Sequence, residues 1–164
     1  MNLEEKIDDL INNKFPLIYK LDNKNVYLIG GSIKSIILDE ISKDLDFVYI
    51  IDTDEKIKSF INKYNLPYKK NSFNGYKINY NNINIDLWNT KDLEHCVEYN
   101  YDQLFYDINK RKIIDIGFTD AIKNGIKEVN CNIKNNRING IDEEKLNKRL
   151  EKIKLDIKRF GDKL

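Results

Sequence analysis

The chain has 164 residues and a formal net charge of +1, from 28 basic and 27 acidic side chains. That length suits one domain with a helical extension, and the balanced charge excludes a globally basic nucleic-acid binder, so any RNA surface has to come from local clustering. No apolar run reaches membrane-spanning length and no signal peptide opens the chain, which predicts a cytoplasmic protein with no membrane partner. Cys96 and Cys131 lack metal-site spacing and read as reduced thiols with no disulfide partner.

In chain order, Leu3, Ile7, Leu10 and Ile11 mark an amphipathic helix over roughly residues 2 to 14, ended near Phe15-Pro16. A turn at Asp22-Asn23-Lys24-Asn25 leads into an apolar strand, Val26 to Ile29, which Gly30-Gly31 stop. From Ser32 the period becomes helical: Ile33, Ile36, Ile37 and Ile41 fall on one side, and Lys34, Ser35, Asp39 and Glu40 on the other. Phe47 to Ile51 then reads as a strand buried on both faces.

The chemistry sits at the two joints of this stretch. Glycines before a helix let the backbone turn with positive φ and approach a ligand, and the free N–H groups of a first helical turn attract phosphate. Along a strand side chains alternate, so Asp44 and Asp46 point one way and Leu45 the other. Two such carboxylates repel unless a cation sits between them, and oxygen ligands suit Mg²⁺. A phosphate cradle beside a carboxylate pair outlines metal-assisted phosphoryl or nucleotidyl transfer.

Further on, Asp52 and Glu55 stand at capping-box spacing before a helix whose face is Ile57, Phe60, Ile61 and Tyr64, closed by Pro67. Asn74-Gly75 predicts a hairpin between residues 68–73 and 76–80, and Asn81-Asn82 turns the chain into a strand from Ile83 to Trp88. There Ile83, Ile85 and Leu87 face one way, and Asn84, Asp86 and Trp88 the other. An acid in an otherwise apolar strand either has a partner or lies on an edge facing water. His95, the only histidine, is assigned no role, while Leu104, Phe105 and Tyr106 read as core. Near the C-terminus, Leu146, Leu150, Ile153, Ile157 and Phe160 form a helical seam. Its flanks carry Lys148, Arg149, Lys152, Lys154, Lys158 and Arg159, either a solvated face or a contact for a phosphate-rich substrate. Lys134 and Arg137, just before that helix, are within reach of a bound triphosphate on this reading.

Gly30-Gly31-Ser32-Ile33-Lys34-Ser35 followed by Asp44-Leu45-Asp46 resembles the head domain of the CCA-adding enzymes and bacterial poly(A) polymerases, in the polymerase-beta-like nucleotidyltransferase superfamily. The family pattern is Gly-Gly, a hydrophobic residue, Arg-Asp, a short helix and Asp-x-Asp. Lys34 keeps the charge of that Arg without its planar fork, and Ser35 replaces the acid. A second stretch, from Val97 to Asp107 and on through Ile113-Ile114-Asp115, Gly117, Asp120-Ala121-Ile122 and Ile126-Lys127, is similar to the family's continuation. Here Val97 stands where the family's Arg contacts the nucleotide, with Glu98 for Asp and Asp102 for Asn. The family's neck helix carries Glu-Asp-x-x-Arg, which pairs with the incoming base. Asp142-Glu143-Glu144-Lys145-Leu146-Asn147 does not supply that arginine, so weak base selectivity is expected, without the family's neck, body and tail domains.

The resemblance implies an α/β (α+β) fold with a mixed, mostly antiparallel sheet backed by helices. Residues 1–130 would form the head domain with its N-terminal helix, and residues 131–164 a helical extension. It implies Asp44, Asp46 and Asp86 as catalytic residues holding two Mg²⁺ ions, Asp86 matching the family's third carboxylate. Gly30, Gly31, Ser32 and Lys34 would bind the nucleotide, joined by Arg137. The expected activity is template-independent transfer of a nucleotide from an NTP to a hydroxyl, foremost an RNA (tRNA) 3′ end, with release of pyrophosphate. A small-molecule or protein acceptor, toxin- or resistance-like, and a non-catalytic nucleotide-binding or antitoxin-like module are the alternatives.

Overall fold

The computed structural model describes residues 1–21, 25–41, 44–71, 75–130 and 143–163. Among these, seven strands form one sheet: β1 (Val26–Ile29), β2 (Leu45–Ile50), β3 (Tyr68–Lys70), β4 (Tyr76–Tyr80), β5 (Ile83–Thr90), β6 (Leu104–Asp107) and β7 (Lys112–Asp115). Their spatial order is β3-β4-β5-β2-β1-β6-β7, and every neighbouring pair is antiparallel except β2 with β5. The helices are α1 (Leu3–Lys14), α2 (Gly30–Ile37), α3 (Asp54–Lys63), α4 (Phe118–Asn124) and α5 (Glu143–Lys163). This is the mixed, mostly antiparallel sheet backed by helices that the sequence predicts.

Alternation along the strands sorts their residues into two faces. Leu28, Phe47, Leu87 and Tyr76 are cross-strand neighbours and buried, as are Leu45, Ile85 and Ile78 in the adjoining row. They share one apolar cluster with Ile7 and Ile11 of α1, Ile33 of α2, Ile57 and Phe60 of α3 and Ile153 and Phe160 of α5. The aromatic rings tie the layers together. Phe15, after α1, packs against Phe47, Phe60 and Tyr80, while Phe160 meets Phe118 edge-on at 5.0 Å. Val48, Phe105 and Val97 are also buried but stand outside that cluster, so the outer face of β2 and β6 is covered separately.

Four local expectations need correction. Helix α2 starts at Gly30 rather than Ser32, and neither Gly30 nor Gly31 has positive φ. Gly30 is required for another reason: a Cβ there would lie 2.8 Å from the Leu104 carbonyl oxygen, so its absence lets α2 settle onto β6. The helix ends at Ile37 and Asp39 takes a left-handed φ of 57°, which leaves Ile41 off the apolar face and 91% exposed. The strand β2 stops at Ile50, and Ile51–Thr53 form a 3₁₀ turn, so Asp52 does not cap α3. Thr53 occupies the cap position without a side-chain bond to the helix, its hydroxyl donating instead to Asp52 at 3.4 Å, and Asp54 accepts a hydrogen bond from the Tyr49 hydroxyl at 2.9 Å. Finally, β5 runs two residues past Trp88, to Thr90.

Among the described residues no helix is long and apolar enough to cross a membrane. Cys96 is a free thiol, pushed up to about 12 mainly by burial. Cys131, Lys134, Arg137 and Asn74 lie outside the described residues.

Candidate active site

The single parallel pairing of the sheet creates the site. It sets Leu45 beside Ile85, Asp46 beside Asp86 and Phe47 beside Leu87, so the odd-numbered rows enter the core while the two aspartates face outward together. Asp44 immediately precedes β2 and completes an acidic group at the same end.

These carboxylates act on one another. Burial, then the charges of Asp86 and Asp44, push the Asp46 carboxyl up to about 6 against a weaker opposing pull from Lys77. Asp86 is also raised, by burial first and by Asp44, with Lys77 opposing. Like charges held this close favour a bound proton or cation. Among the described residues no three His, Cys, Asp or Glu side chains are grouped so as to hold a metal ion by themselves. Three carboxylates partly open to solvent suit a hard divalent cation that also draws oxygen ligands from a phosphate, so the donor chemistry fits Mg²⁺.

Helix α2 begins at the same end. The Ser32 hydroxyl, buried, donates to the Asp44 main-chain oxygen at 3.1 Å and fixes the first turn of α2 against the start of β2. The residue preceding α2, Ile29, provides no side-chain cap. Gly31 is exposed, and a Cβ there would meet nothing within 4 Å, leaving open space beside the N-terminal turn. Ser35, in place of the family's acid, donates back to the Gly31 carbonyl at 3.1 Å.

Lys34 is placed differently from the phosphate-directed residue expected of it. Its ammonium lies 2.8 Å from Asp102 and 3.7 Å from the centroid of the Tyr101 ring, and burial lowers its pKa against the pull of Asp102. The other oxygen of Asp102 accepts from Arg149 of α5 at 2.8 Å. Asp102 therefore joins α2 to α5, and Lys34 is committed to it in this state. Val97 is buried. Gly30, as described, serves the packing of α2.

The sequence did not single out Tyr101, Lys77 or the bridging part played by Asp102. Lys77 stands directly across from Asp86, a relation that follows once the β4–β5 register is known. The Asn81-Asn82 turn, with φ of 50° and 64°, was the available signal for that register.

No protein-family model matches the chain, and no curated protein matches it. Solved structures do match in shape. An apo CCA-adding enzyme matches with a TM-score of 0.55 and 22% identity over 74% of this chain and 34% of its own. The Thermotoga maritima CCA-adding enzyme complexed with tRNA gives a TM-score of 0.54 and 20% identity, covering 74% and 33% of the two chains. A CCA-adding enzyme in complex with CTP gives 0.55 and 19%, covering 75% and 35%. The chain thus spans about a third of the length of the structures it matches, and at these identities the likeness is one of fold.

Proposed function

We propose that this chain is a nucleotidyltransferase that moves a nucleoside monophosphate from an NTP to a hydroxyl acceptor, with an RNA 3′ end such as that of tRNA as the acceptor. The observation that carries the reading is the in-register pair of Asp46 and Asp86 on adjacent parallel strands, beside Asp44 and the open first turn of α2. The shared fold supports it, since structures of that shape are complexed with CTP and with tRNA.

In this reading Asp44, Asp46 and Asp86 hold Mg²⁺, which when bound would neutralise the triphosphate and acidify the attacking hydroxyl. The residues of the chain do the rest. The backbone at Gly31 and Ser32 presents N–H groups to phosphate oxygens, aided by the positive end of α2. Burial of Leu45, Ile85 and their neighbours beneath the acids holds the two strands rigid, which fixes the separation of the carboxylates. Asp102 and the Tyr101 ring hold the Lys34 ammonium beside α2, so in this reading Lys34 positions the helix and does not touch phosphate.

The test is incubation of the protein with each labelled NTP, Mg²⁺ and total RNA, followed by sizing of the labelled product. Label is expected in RNA with wild type. With Asp86→Asn, incorporation should be reduced about 10²-fold while Mg–NTP binding is retained. Absence of label from every NTP would overturn the reading.

A further inference from the structure

Asp46 and Asp86 are half of a longer row. Pairing of β5 with β4 sets Lys77 directly opposite Asp86, and pairing of β4 with β3 sets Lys69 directly opposite Lys77. All four side chains lie on the same outward face, because their flanking residues Tyr76, Ile78, Ile85 and Leu87 are buried on the other. At about 5 Å per strand, the row runs from Asp46 to Lys69 over about 14 Å, acidic at the end in the middle of the sheet and basic at the sheet edge.

Two lysines opposed across an antiparallel pair repel each other. Both are exposed, and among the described residues neither forms a salt bridge, although Lys77 stands across from Asp86 and its charge acts on Asp46 and Asp86. Among the described residues of α5, Arg149, Arg159 and Lys163 are paired with Asp102, Glu40 and Asp39, while Lys152, Lys154 and Lys158 stand exposed on a helix that bears no carboxylate row. Trp88, two residues beyond Asp86 on the same face, adds a half-buried aromatic ring beside the row.

We infer that the outer face of β3, β4 and β5 is the path of a single-stranded RNA toward the carboxylates, with Lys77 and Lys69 contacting successive parts of its phosphate backbone. The inference rests on the transferase reading for its direction, since it leads the strand's end to Asp86, but RNA binding along the row is separable from turnover. Charge complementarity selects the occupant. A polyanion relieves the Lys69–Lys77 repulsion, whereas a triphosphate held at α2 lies at the other end of the row.

The experiment titrates a fluorescein-labelled RNA of about twelve nucleotides, within the span of single-strand-binding grooves, against the full chain in EDTA without NTP. Wild type, Lys69→Gln/Lys77→Gln and a control with two exposed lysines of α3 replaced, Lys56→Gln/Lys63→Gln, are compared at several salt concentrations. The row variant should bind RNA about 10-fold more weakly and lose about 1.4 from the salt slope, and Mg–ATP affinity, followed in a separate titration, should change by much less than the RNA affinity. The control should match wild type. Absence of wild-type binding, equal binding by the row variant, or an equal loss in the control would each overturn the inference. So would loss of Mg–ATP affinity with RNA binding retained, which would give the lysines to the triphosphate. A chain that binds RNA along this row yet transfers nothing would sink the transferase reading alone.

Discussion

Asp46 and Asp102 are both partly buried carboxylates at the same end of the molecule, and their surroundings are opposite. Asp102 lies between two cations, Lys34 and Arg149, each 2.8 Å away. Asp46 lies beside two further acids, and among the described residues only Lys77 opposes them. An acid whose charge is matched joins elements of the fold, here α2 to α5. An acid held among others of its sign lowers stability, and such an arrangement is a functional-site candidate because a ligand can relieve it. The difference separates a structural carboxylate from a candidate ligand-binding one more sharply than either residue's position in the sequence.

The comparison can be broken most decisively at Asp46. Asp46→Asn removes a charge that repels its neighbours, so transfer should fall by about 10³-fold or more while the melting temperature stays level or rises. A large loss of stability would put Asp46 in the structural class. Asp102→Asn should do the reverse. It leaves the Lys34 ammonium buried without its counter-charge and should lower the unfolding free energy in urea by about 3 kcal/mol. Stability equal to wild type would end the contrast.

Acidity sharpens it further. The folded-state value of Asp46, about 6, lies above its ordinary 3.8. The folded chain therefore binds this proton more tightly than the unfolded chain does. The destabilising contribution is absent below about pH 4 and complete above about pH 6, so stability from this group falls as pH rises through that window, by about 3 kcal/mol at most. Subtracting the urea curves of Asp46→Asn from those of wild type isolates it, and a flat difference would show Asp46 to be unperturbed. Mg²⁺ affinity should rise over the same window as the ligand deprotonates, which calorimetry can follow. The smallest effect belongs to Lys163→Ala. Its partner Asp39 is a surface acid, and exposed pairs of this kind add little, so no measurable shift in melting temperature is expected.

Much of the fold was legible because local rules suffice for it. Alternation in Ile83–Leu87 already places Asp86 on the face away from the core, and the strand–helix–strand unit from Val26 to Ile50 follows from its glycines and its change of period. What escaped depends on distant pairing. Lys34 and Asp102 are 68 residues apart, and no local signal in Lys34 reveals that its charge is used internally. Lys69 gains its meaning from two registers in succession. The error at Ile41 has a local cause: its spacing extends the helix, but Asp39 takes a left-handed conformation and ends it first.

The lone parallel contact has a consequence for the order of assembly. Strands β3, β4 and β5 close on each other through short turns, as do β6 and β7, whereas β2 and β5 meet only after some 40 residues of chain have folded back, a slow step by the entropy of the loop it closes. Asp46 and Asp86 come from opposite sides of that seam. The acidic pair therefore does not exist in a partly folded chain. A nucleotide that binds it holds the two halves of the sheet together, and amide exchange along β2 and β5 should slow in its presence more than exchange along β7.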